Sequence, residues 1–185
     1  IFVVETMGRS AGWLALEGGE ACGAYIILIP ECPYDMDKVC ELVSRGQKRG
    51  TRYEIIIASE AARTINGSEI VKKQGADNFG HMALGGVGEY IASEIQKRTG
   101  QETKSIELSY LQRGGAPSGY DRRMGRFFGI AAVDLVAKQE YGRMVCWDNG
   151  AMTSVPLWKI ENKTRMVDIA TEYDCDRYNG RRTIL

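Results

Sequence analysis

Residues 1–10 read Ile-Phe-Val-Val-Glu-Thr-Met-Gly-Arg-Ser, and this stretch decides the fold class. The first four side chains are β-branched or aromatic, which favours a buried strand. A short glycine-containing loop follows, and residues 11–20 then have a helix-like pattern, with Ser10 as the expected N-cap. A buried strand that leads directly into a helix is typical of parallel strand–helix–strand units.

The same alternation continues along the chain. Further strands are predicted at 25–29, 55–57 and 103–108, and further amphipathic helices after Asp35, from Met82 to Gly100 and after Tyr120 and Asp121. Two short strands, 144–147 and 153–157, flank the turn sequence Asp-Asn-Gly and predict a hairpin. In the polar tail only a short helix near Val167 is predicted. The pattern indicates an α/β fold with a largely parallel sheet and helices on both faces.

Composition excludes several classes of protein. The chain has 185 residues, 44% of them apolar and 26% charged, which suits one domain of ordinary size. Its 24 Lys and Arg balance its 24 Asp and Glu, so there is no basic excess for nucleic acid or an anionic membrane. The apolar runs are far shorter than the roughly 20 residues of a membrane-spanning helix. We therefore expect neither a nucleic-acid partner nor a membrane.

The five cysteines are odd in number, widely spread and without a CxxC pair. This pattern fits neither a disulfide scaffold nor a zinc site, so we expect small buried side chains in a reducing cytoplasm. The sequence also begins inside a strand, without an initiator methionine. We expect a portion of a longer protein, incomplete at the N-terminal side, with part of its active site upstream.

Polar residues follow three of the predicted strands. Met7, Gly8 and Arg9 follow the first strand, Glu60 follows the third, and residues 110–113 follow the fourth. Ligands of parallel α/β sheets bind just outside the carboxyl ends of the strands. We therefore expect these residues to form one site, although Arg and Glu at such positions also occur simply as solvated ion pairs.

The residue types at this edge suit a sugar phosphate. Arg9 and Arg113 are permanent cations that suit a phosphate, and Lys104 could add a third positive charge. Gly8 would let a ligand approach the backbone, and the start of the following helix is itself favourable to anions. Glu60 cannot hold a phosphate, but it can accept hydrogen bonds from hydroxyl groups of the same ligand.

Two other features have simpler interpretations. Gly-Gly-Val-Gly at 85–88 is neither GxGxxG nor a P-loop, so close helix packing is the favoured interpretation over a nucleotide loop. His81 is the only histidine, and a surface or capping role is favoured over a metal site or a catalytic triad.

Several segments together resemble the 6-phosphofructokinase family in order and approximate spacing over about residues 1–145. They are Val-Glu-Thr-Met-Gly-Arg-Ser-Ala-Gly-Trp at 4–13, Ile-Pro-Glu at 29–31, Gly-Gly-Val-Gly at 85–88, Leu-Gln-Arg-Gly-Gly-Ala-Pro at 111–117 and Tyr-Asp-Arg at 120–122. The resemblance implies phosphorylation of fructose 6-phosphate to fructose 1,6-bisphosphate in glycolysis. The alternatives are a pyrophosphate-dependent phosphotransferase and a non-catalytic regulatory module that binds a phosphorylated metabolite.

The resemblance also implies roles for particular residues. Met7, Gly8 and Arg9 match the sugar-phosphate triplet of the family, Glu60 matches its carboxylate for sugar hydroxyls, and Arg113 with Gln112 matches its substrate-binding segment. Two positions depart from the family pattern. Tyr110 stands where many members have histidine, and Lys104 stands where many have an arginine that reaches in from a neighbouring subunit.

The donor side of the family's active site precedes the part that this chain matches. The resemblance therefore implies that the catalytic aspartate, Mg²⁺ and ATP or pyrophosphate are held mainly by a preceding portion, that this chain has no metal site, and that alone it has no turnover. We expect a homo-oligomer, either a dimer or a tetramer. The implied domains are a sugar-phosphate domain at 1–111, a segment of the donor domain at 112–157, and a return to the first domain at 158–185.

Overall fold

The computed structural model describes residues 1–66 and 86–183. In chain order the elements are β1 (Phe2–Thr6), α1 (Trp13–Cys22), β2 (Ile26–Leu28), α2 (Met36–Lys48), β3 (Ile55–Ser59), α3 (Val87–Thr99), β4 (Lys104–Glu107), α4 (Gly119–Ala137), β5 (Arg143–Asp148), β6 (Ala151–Pro156), β7 (Tyr173–Asp174) and β8 (Asn179–Gly180). Short 3-10 helices lie at Ser109–Arg113 and Leu157–Lys159. The predicted helix residue Met82 lies outside the described residues, as do His81 and Gly85.

The main sheet has four parallel strands in the order β2-β3-β1-β4. Val3 in β1 is aligned with Ile56 in β3, and Ile56 with Ile26 in β2; all three are fully buried. Strands that are buried on both faces have continuous apolar runs, which is why these segments could be found from the sequence. The predicted parallel α/β fold is confirmed.

Helices cover both faces of this sheet. A Cβ at Gly19 of α1 would lie 2.6 Å from the side chain of Ile27, and a Cβ at Gly88 of α3 would lie 3.1 Å from that of Glu5. Glu5 lies in the same cross-strand row as Leu28, the neighbour of Ile27. Because successive side chains of a strand alternate between faces, Glu5 and Ile27 point to opposite sides. α1 and α3 therefore pack on opposite faces.

The chain divides into two compact units, unit 1 (Ile1–Gln112 with Arg165–Leu185) and unit 2 (Arg113–Thr164). The predicted domain boundaries fall at 111 and 157, whereas unit 1 ends its first part at Gln112 and resumes at Arg165. Unit 1 contains the parallel sheet, and unit 2 contains α4 and the antiparallel hairpin β5–β6. The predicted hairpin is confirmed; the assignment of the two units to sugar and donor domains stays a prediction.

The helix ends show which local predictions were right. Asp35 caps α2 by accepting the N–H of Asp37, and Gly100 ends α3 in the left-handed conformation. Ser10 is not a cap: α1 begins at Trp13, its N-cap residue is Gly12, and no side-chain cap bond forms there. The predicted helix near Val167 is also wrong, because that residue lies in irregular backbone.

The cysteine prediction is wrong for two of the five residues. Cys32 and Cys175 form a disulfide across a separation of 143 residues. Of the remaining cysteines Cys40 is buried, Cys146 is half-buried and Cys22 is exposed. The disulfide fastens residues 165–183, which we call the C-terminal strap, to the loop after β2.

The strap covers the outer edge of β2. The N–H of Ile27 donates to the carbonyl of Tyr178 over 2.7 Å, and the hydroxyl of Tyr173 donates to the carbonyl of Ile27. The side-chain amide of Asn179 donates to the carbonyls of Ala24 and Tyr25, both over 2.9 Å. The backbone groups of Ile27 that point away from β3 therefore find their partners in the strap.

Candidate functional site

Three parallel strands end at one edge of the sheet, and most of the predicted site residues follow them. Residues 7–9 follow Thr6 of β1, Glu60 follows β3, and the 3-10 helix Ser109–Arg113 comes after β4. The N–H of Glu60 donates to the carbonyl of Thr6 over 2.8 Å, which joins the ends of β1 and β3. This is the edge at which α/β proteins bind ligands.

The Glu60 carboxylate lies at the centre of this group. Its Oε1 accepts the backbone N–H of Gly8 over 3.1 Å and that of Arg9 over 2.9 Å. Arg9 has a φ of 48°, in the left-handed region where residues other than glycine are uncommon. A carboxylate offers about four lone-pair directions, so two amides leave Glu60 able to accept hydroxyl groups as well.

Gln112 joins the same loop from the other side. Its Oε1 accepts the N–H of Met7 over 2.7 Å, although the two residues are 105 positions apart. The structure therefore brings together five of the eight predicted site residues: Met7, Gly8, Arg9, Glu60 and Gln112.

The backbone of this loop is already used within the protein. The N–H groups of Met7, Gly8 and Arg9 donate to side chains, and that of Gly12, at the start of α1, donates to Glu31. These four N–H groups therefore already have partners within the protein, and the prediction that the start of α1 favours an anion stays a prediction.

Close packing explains why position 8 is a glycine. A Cβ at this position would lie 2.7 Å from the carbonyl oxygen of Ala11 and 3.1 Å from Oγ of Ser59. The N–H of Ala11 also donates to the carbonyl of Gly8 over 3.0 Å, which closes the turn. Glycine is therefore required at this position whether or not a ligand approaches it.

The other predicted residues lie in different surroundings. Tyr110 belongs to the same 3-10 helix as Gln112, and its side chain is 76% exposed. Arg113 ends that helix and is the first residue of unit 2.

Lys104 is at the wrong end of the sheet for this site. In the parallel register it is aligned with Phe2, the first residue of β1, whereas the site follows the last residue. Its Nζ lies 3.3 Å from a carboxylate oxygen of Glu102. The expectation that Lys104 adds a third positive charge to the same edge is wrong within one chain; a role in a neighbouring copy stays a prediction.

Two carboxylates that the sequence did not indicate as functional hold helix starts beside the site. Glu31 accepts the N–H of Gly12 at the start of α1, and the buried Glu5 accepts those of Gly86 and Gly88 at the start of α3. The close-packing interpretation of the glycine segment is confirmed for Gly88, where a Cβ would lie 3.1 Å from the side chain of Glu5. Both glutamates lie in or directly after apolar runs, which is the signal that could have drawn attention to them.

In residues 1–66 and 86–183 no group of three or more His, Cys, Asp or Glu side chains could hold a metal ion. Within the same part of the chain no helix is long and apolar enough to cross a bilayer.

A parallel sheet between two helical layers, with polar residues gathered at its carboxyl edge, defines an α/β protein of the ligand-binding kind. The family model described as Phosphofructokinase matches residues 1–136. The chain belongs to the phosphofructokinase family.

Relatives with both kinds of phosphoryl donor are similar to the chain. It is 45% identical over 157 residues to the ATP-dependent 6-phosphofructokinase 1 of Synechocystis sp., covering 85% of this chain and 43% of the relative. It is 40% identical over 170 residues to the pyrophosphate--fructose 6-phosphate 1-phosphotransferase of Streptomyces coelicolor, covering 92% and 49%. The chain thus spans about half the length of the curated relatives it matches.

Solved structures agree with this assignment. The pyrophosphate-dependent phosphofructokinase from Marinobacter aquaeolei superposes with a TM-score of 0.77 over 98% of this chain and 45% of its own, and at 23% identity it shows the fold alone. Pichia pastoris phosphofructokinase in the T-state gives a TM-score of 0.70 at 30% identity, over 85% of this chain and 17% of its own.

Proposed function

We propose that the chain supplies the fructose 6-phosphate-binding part of a 6-phosphofructokinase. The observation that carries the proposal is the group formed by residues 7–9, Glu60 and Gln112 at the ends of three parallel strands. Family membership supports the choice of substrate, because the names of the relatives describe phosphoryl transfer to fructose 6-phosphate.

In the proposed reaction the oxygen of the 1-hydroxyl attacks the terminal phosphorus of the donor. The bond between that phosphorus and the leaving group breaks, and the hydroxyl proton passes to a base. Such reactions depend mainly on the positioning of the partners and on charge neutralisation. We assign the 6-phosphate to Arg9 and Arg113, with Tyr110 as a further hydrogen-bond donor, and the sugar hydroxyls to Glu60.

The donor side of the reaction is proposed to lie outside this chain. We propose that Mg²⁺, the donor and the catalytic aspartate are held mainly by a preceding portion of the enzyme, since the chain spans about half the length of its relatives. ATP is the proposed donor. Pyrophosphate is the second candidate, supported by the Streptomyces coelicolor relative. Alone, the chain is expected to show no turnover in a coupled assay.

The proposed enzyme is a cytoplasmic homo-oligomer. Lys104 lies at the amino edge of the sheet, so it can reach a fructose 6-phosphate only if a second copy of the chain presents it. Lys104→Ala should then weaken sugar-phosphate binding in the oligomer and leave binding by a dissociated chain unchanged. Sedimentation at several protein concentrations, run beside the binding assay, distinguishes these two cases.

The central experiment is calorimetric titration of fructose 6-phosphate into the chain, its Arg113→Ala variant and an Arg126→Ala control. Arg126 is an exposed residue of α4 that is not among the predicted site residues, so the control removes an equal charge. Loss of a charge-assisted phosphate contact should weaken binding by about ten-fold to a hundred-fold. Equal weakening by both variants, or a parent that does not distinguish fructose 6-phosphate from inorganic phosphate, would contradict the proposal.

A further inference from the structure

We infer that Glu31 is a positioning residue, which sets the conformation of the loop of residues 8–12 and joins that loop to the C-terminal strap. The inference rests on the proposed function, because this loop includes two of the residues assigned to the sugar phosphate. Glu31 itself follows β2 and is not assigned to the ligand.

The contacts of Glu31 link three parts of the chain. Its Oε1 and Oε2 accept the N–H of Gly12 over 3.0 and 3.1 Å, and Oε1 also accepts the N–H of Val167 in the strap over 2.9 Å. A Cβ at Gly12 would lie 2.8 Å from Oε2 of Glu31 and 2.5 Å from the Cβ of Ile29. The approach is thus close enough to require glycine at position 12.

Glu31 supplies, from outside the helix, a hydrogen-bond acceptor that the first turn of a helix usually supplies for itself. In a capping box the side chain at N3 accepts the N–H of the N-cap residue, but in α1, whose N-cap is Gly12, N3 is Ala15, which has no acceptor. The helix dipole also favours a negative charge at this end. A carboxylate from a neighbouring loop therefore stabilises the start of α1 in place of a cap.

The loop is consequently held at both ends by carboxylates. Glu60 binds the N–H groups of Gly8 and Arg9, and Glu31 binds that of Gly12, only three residues further. Between them the N–H of Ala11 closes a turn onto the carbonyl of Gly8. Displacement of Gly12 would pull on this turn, and thereby change the position of Arg9.

The strap makes a second contact with the same helix start. Nε1 of Trp13 donates to the carbonyl of Arg165 over 2.8 Å, and the guanidinium of Arg165 lies 4.6 Å from the centre of the Trp13 ring. Together with the bond between Glu31 and Val167, this contact fastens the start of α1 to residues 165–167 at the beginning of the strap.

The test compares Glu31→Gln with Asn179→Ala. Gln has nearly the same shape but a single, uncharged acceptor oxygen, so one or more of the bonds to Gly12 and Val167 is lost. Asn179→Ala removes two bonds between the strap and the β2 region without touching the loop. Both variants should lower the thermal unfolding midpoint. Only Glu31→Gln should also weaken fructose 6-phosphate binding in calorimetry. The expected loss is about ten-fold, the effect of one charge-assisted bond, because Arg9 is displaced from the phosphate.

A second measurement needs no ligand. In amide NMR spectra of the free chain, Glu31→Gln should shift the resonances of Gly8 and Arg9, whereas Asn179→Ala should leave them in place. If Glu31→Gln does not fold, Glu31→Asp, which keeps the charge but shortens the reach, should produce smaller changes in the same direction. Unchanged Gly8 and Arg9 resonances in the folded variant, or equal loss of affinity in both variants, would overturn the inference.

The two proposals fail in distinguishable ways. If the parent chain binds no fructose 6-phosphate while Glu31→Gln still shifts Gly8 and Arg9, the proposed function fails and Glu31 remains the residue that orders the loop. If the parent binds fructose 6-phosphate and Glu31→Gln changes neither affinity nor those resonances, the proposed function stands and the inference about Glu31 is wrong.

Discussion

Unit 1 and unit 2 differ in how their apolar side chains are placed. In unit 1 the strands and helices enclose a core in which Ile26, Ile56 and Ile91 are fully buried. In unit 2 no described residue is buried, and apolar side chains of α4 such as Ile130 and Val133 are 48% and 67% exposed. The first unit thus obtains its stability from a core of its own.

Unit 2 is organised by local hydrogen bonds instead. Ser118 and Asp121 form a reciprocal capping box at the start of α4, and these bonds from Ser118 lower the pKa of the Asp121 carboxyl. The hairpin β5–β6 pairs six residues on each strand. An exposed apolar helix face of this kind is typical of a surface that another part of a protein covers. The loop with Gly8 and Arg9 therefore belongs to unit 1, the unit that has its own buried core.

The greatest loss of stability is predicted for removal of the disulfide in unit 1. The bond between Cys32 and Cys175 closes a loop of 143 residues. In the chain-entropy model a loop of this length contributes up to about 5 kcal/mol to the free energy of unfolding. Cys175→Ser should lower the denaturant midpoint by a corresponding amount, and dithiothreitol should lower that of the parent but not of the variant. The exposed Cys22→Ser variant is the matched control, and a parent insensitive to dithiothreitol would contradict the prediction.

Replacing an isoleucine by alanine in each unit tests directly whether only unit 1 has a buried core. Ile56→Ala, in the buried centre of unit 1, should cost about 2–5 kcal/mol because it leaves a cavity. Ile130→Ala, on the exposed face of α4, should change stability by about 0.5 kcal/mol or less. Urea denaturation followed by circular dichroism measures both. A cost for Ile130→Ala as large as that for Ile56→Ala would show that unit 2 has a core after all.

A smaller effect tests the local origin of order in unit 2. Ser118→Ala removes the side chain that accepts the N–H of Asp121 at the start of α4. Loss of such a cap typically costs about 1 kcal/mol, and because α4 has no fully buried residue, its first turn depends mainly on this local bond. We expect reduced helical ellipticity and faster amide exchange confined to the first turns of α4. Ser118→Asp, which restores a capping acceptor, should retain most of the parent's protection.

The smallest predicted effect concerns a charge in unit 1. Glu54 is 3% exposed, neither of its carboxylate oxygens has a hydrogen-bond partner among the described residues, and burial raises its pKa. The folded state therefore disfavours the ionised carboxylate. The protonated carboxyl favours the folded state, and this contribution to the free energy of unfolding is lost as pH rises from the ordinary pKa of about 4.3 through the raised pKa. Glu54→Gln should gain stability relative to the parent as pH rises from 4 to 7. A difference that is independent of pH would contradict this assignment.

The sequence allowed the main elements of unit 1 to be predicted because their signals are local. Residues 26–28 and 55–57 are continuous apolar runs of the kind that buried parallel strands require. Asp35 and the apolar spacing after it predict the capped helix α2, and Gly100 predicts the end of α3. Once the strands are parallel, the grouping of Gly8 and Glu60 at one edge follows from strand direction alone.

The remaining features depend on residues that are far apart in the chain. Ser10 is a plausible cap by position, but the acceptor at α1 is Glu31, 19 residues after Gly12. No spacing rule pairs Cys32 with a cysteine 143 residues away. Lys104 is a different case: it begins its strand, so strand direction could have placed it at the amino edge.

The strap also has a consequence for the order of events during synthesis. Val167 and Tyr173 bind partners 136 and 146 residues earlier in the chain, so β2 and Glu31 emerge from the ribosome long before the segment that completes them. At about 5–20 residues per second the delay is roughly 7–30 s. Throughout that time the edge of β2 is an open template for another strand. A nascent chain stalled before residue 165 therefore exposes this edge to chaperones, whereas one that already includes residues 165–183 covers its own sheet edge.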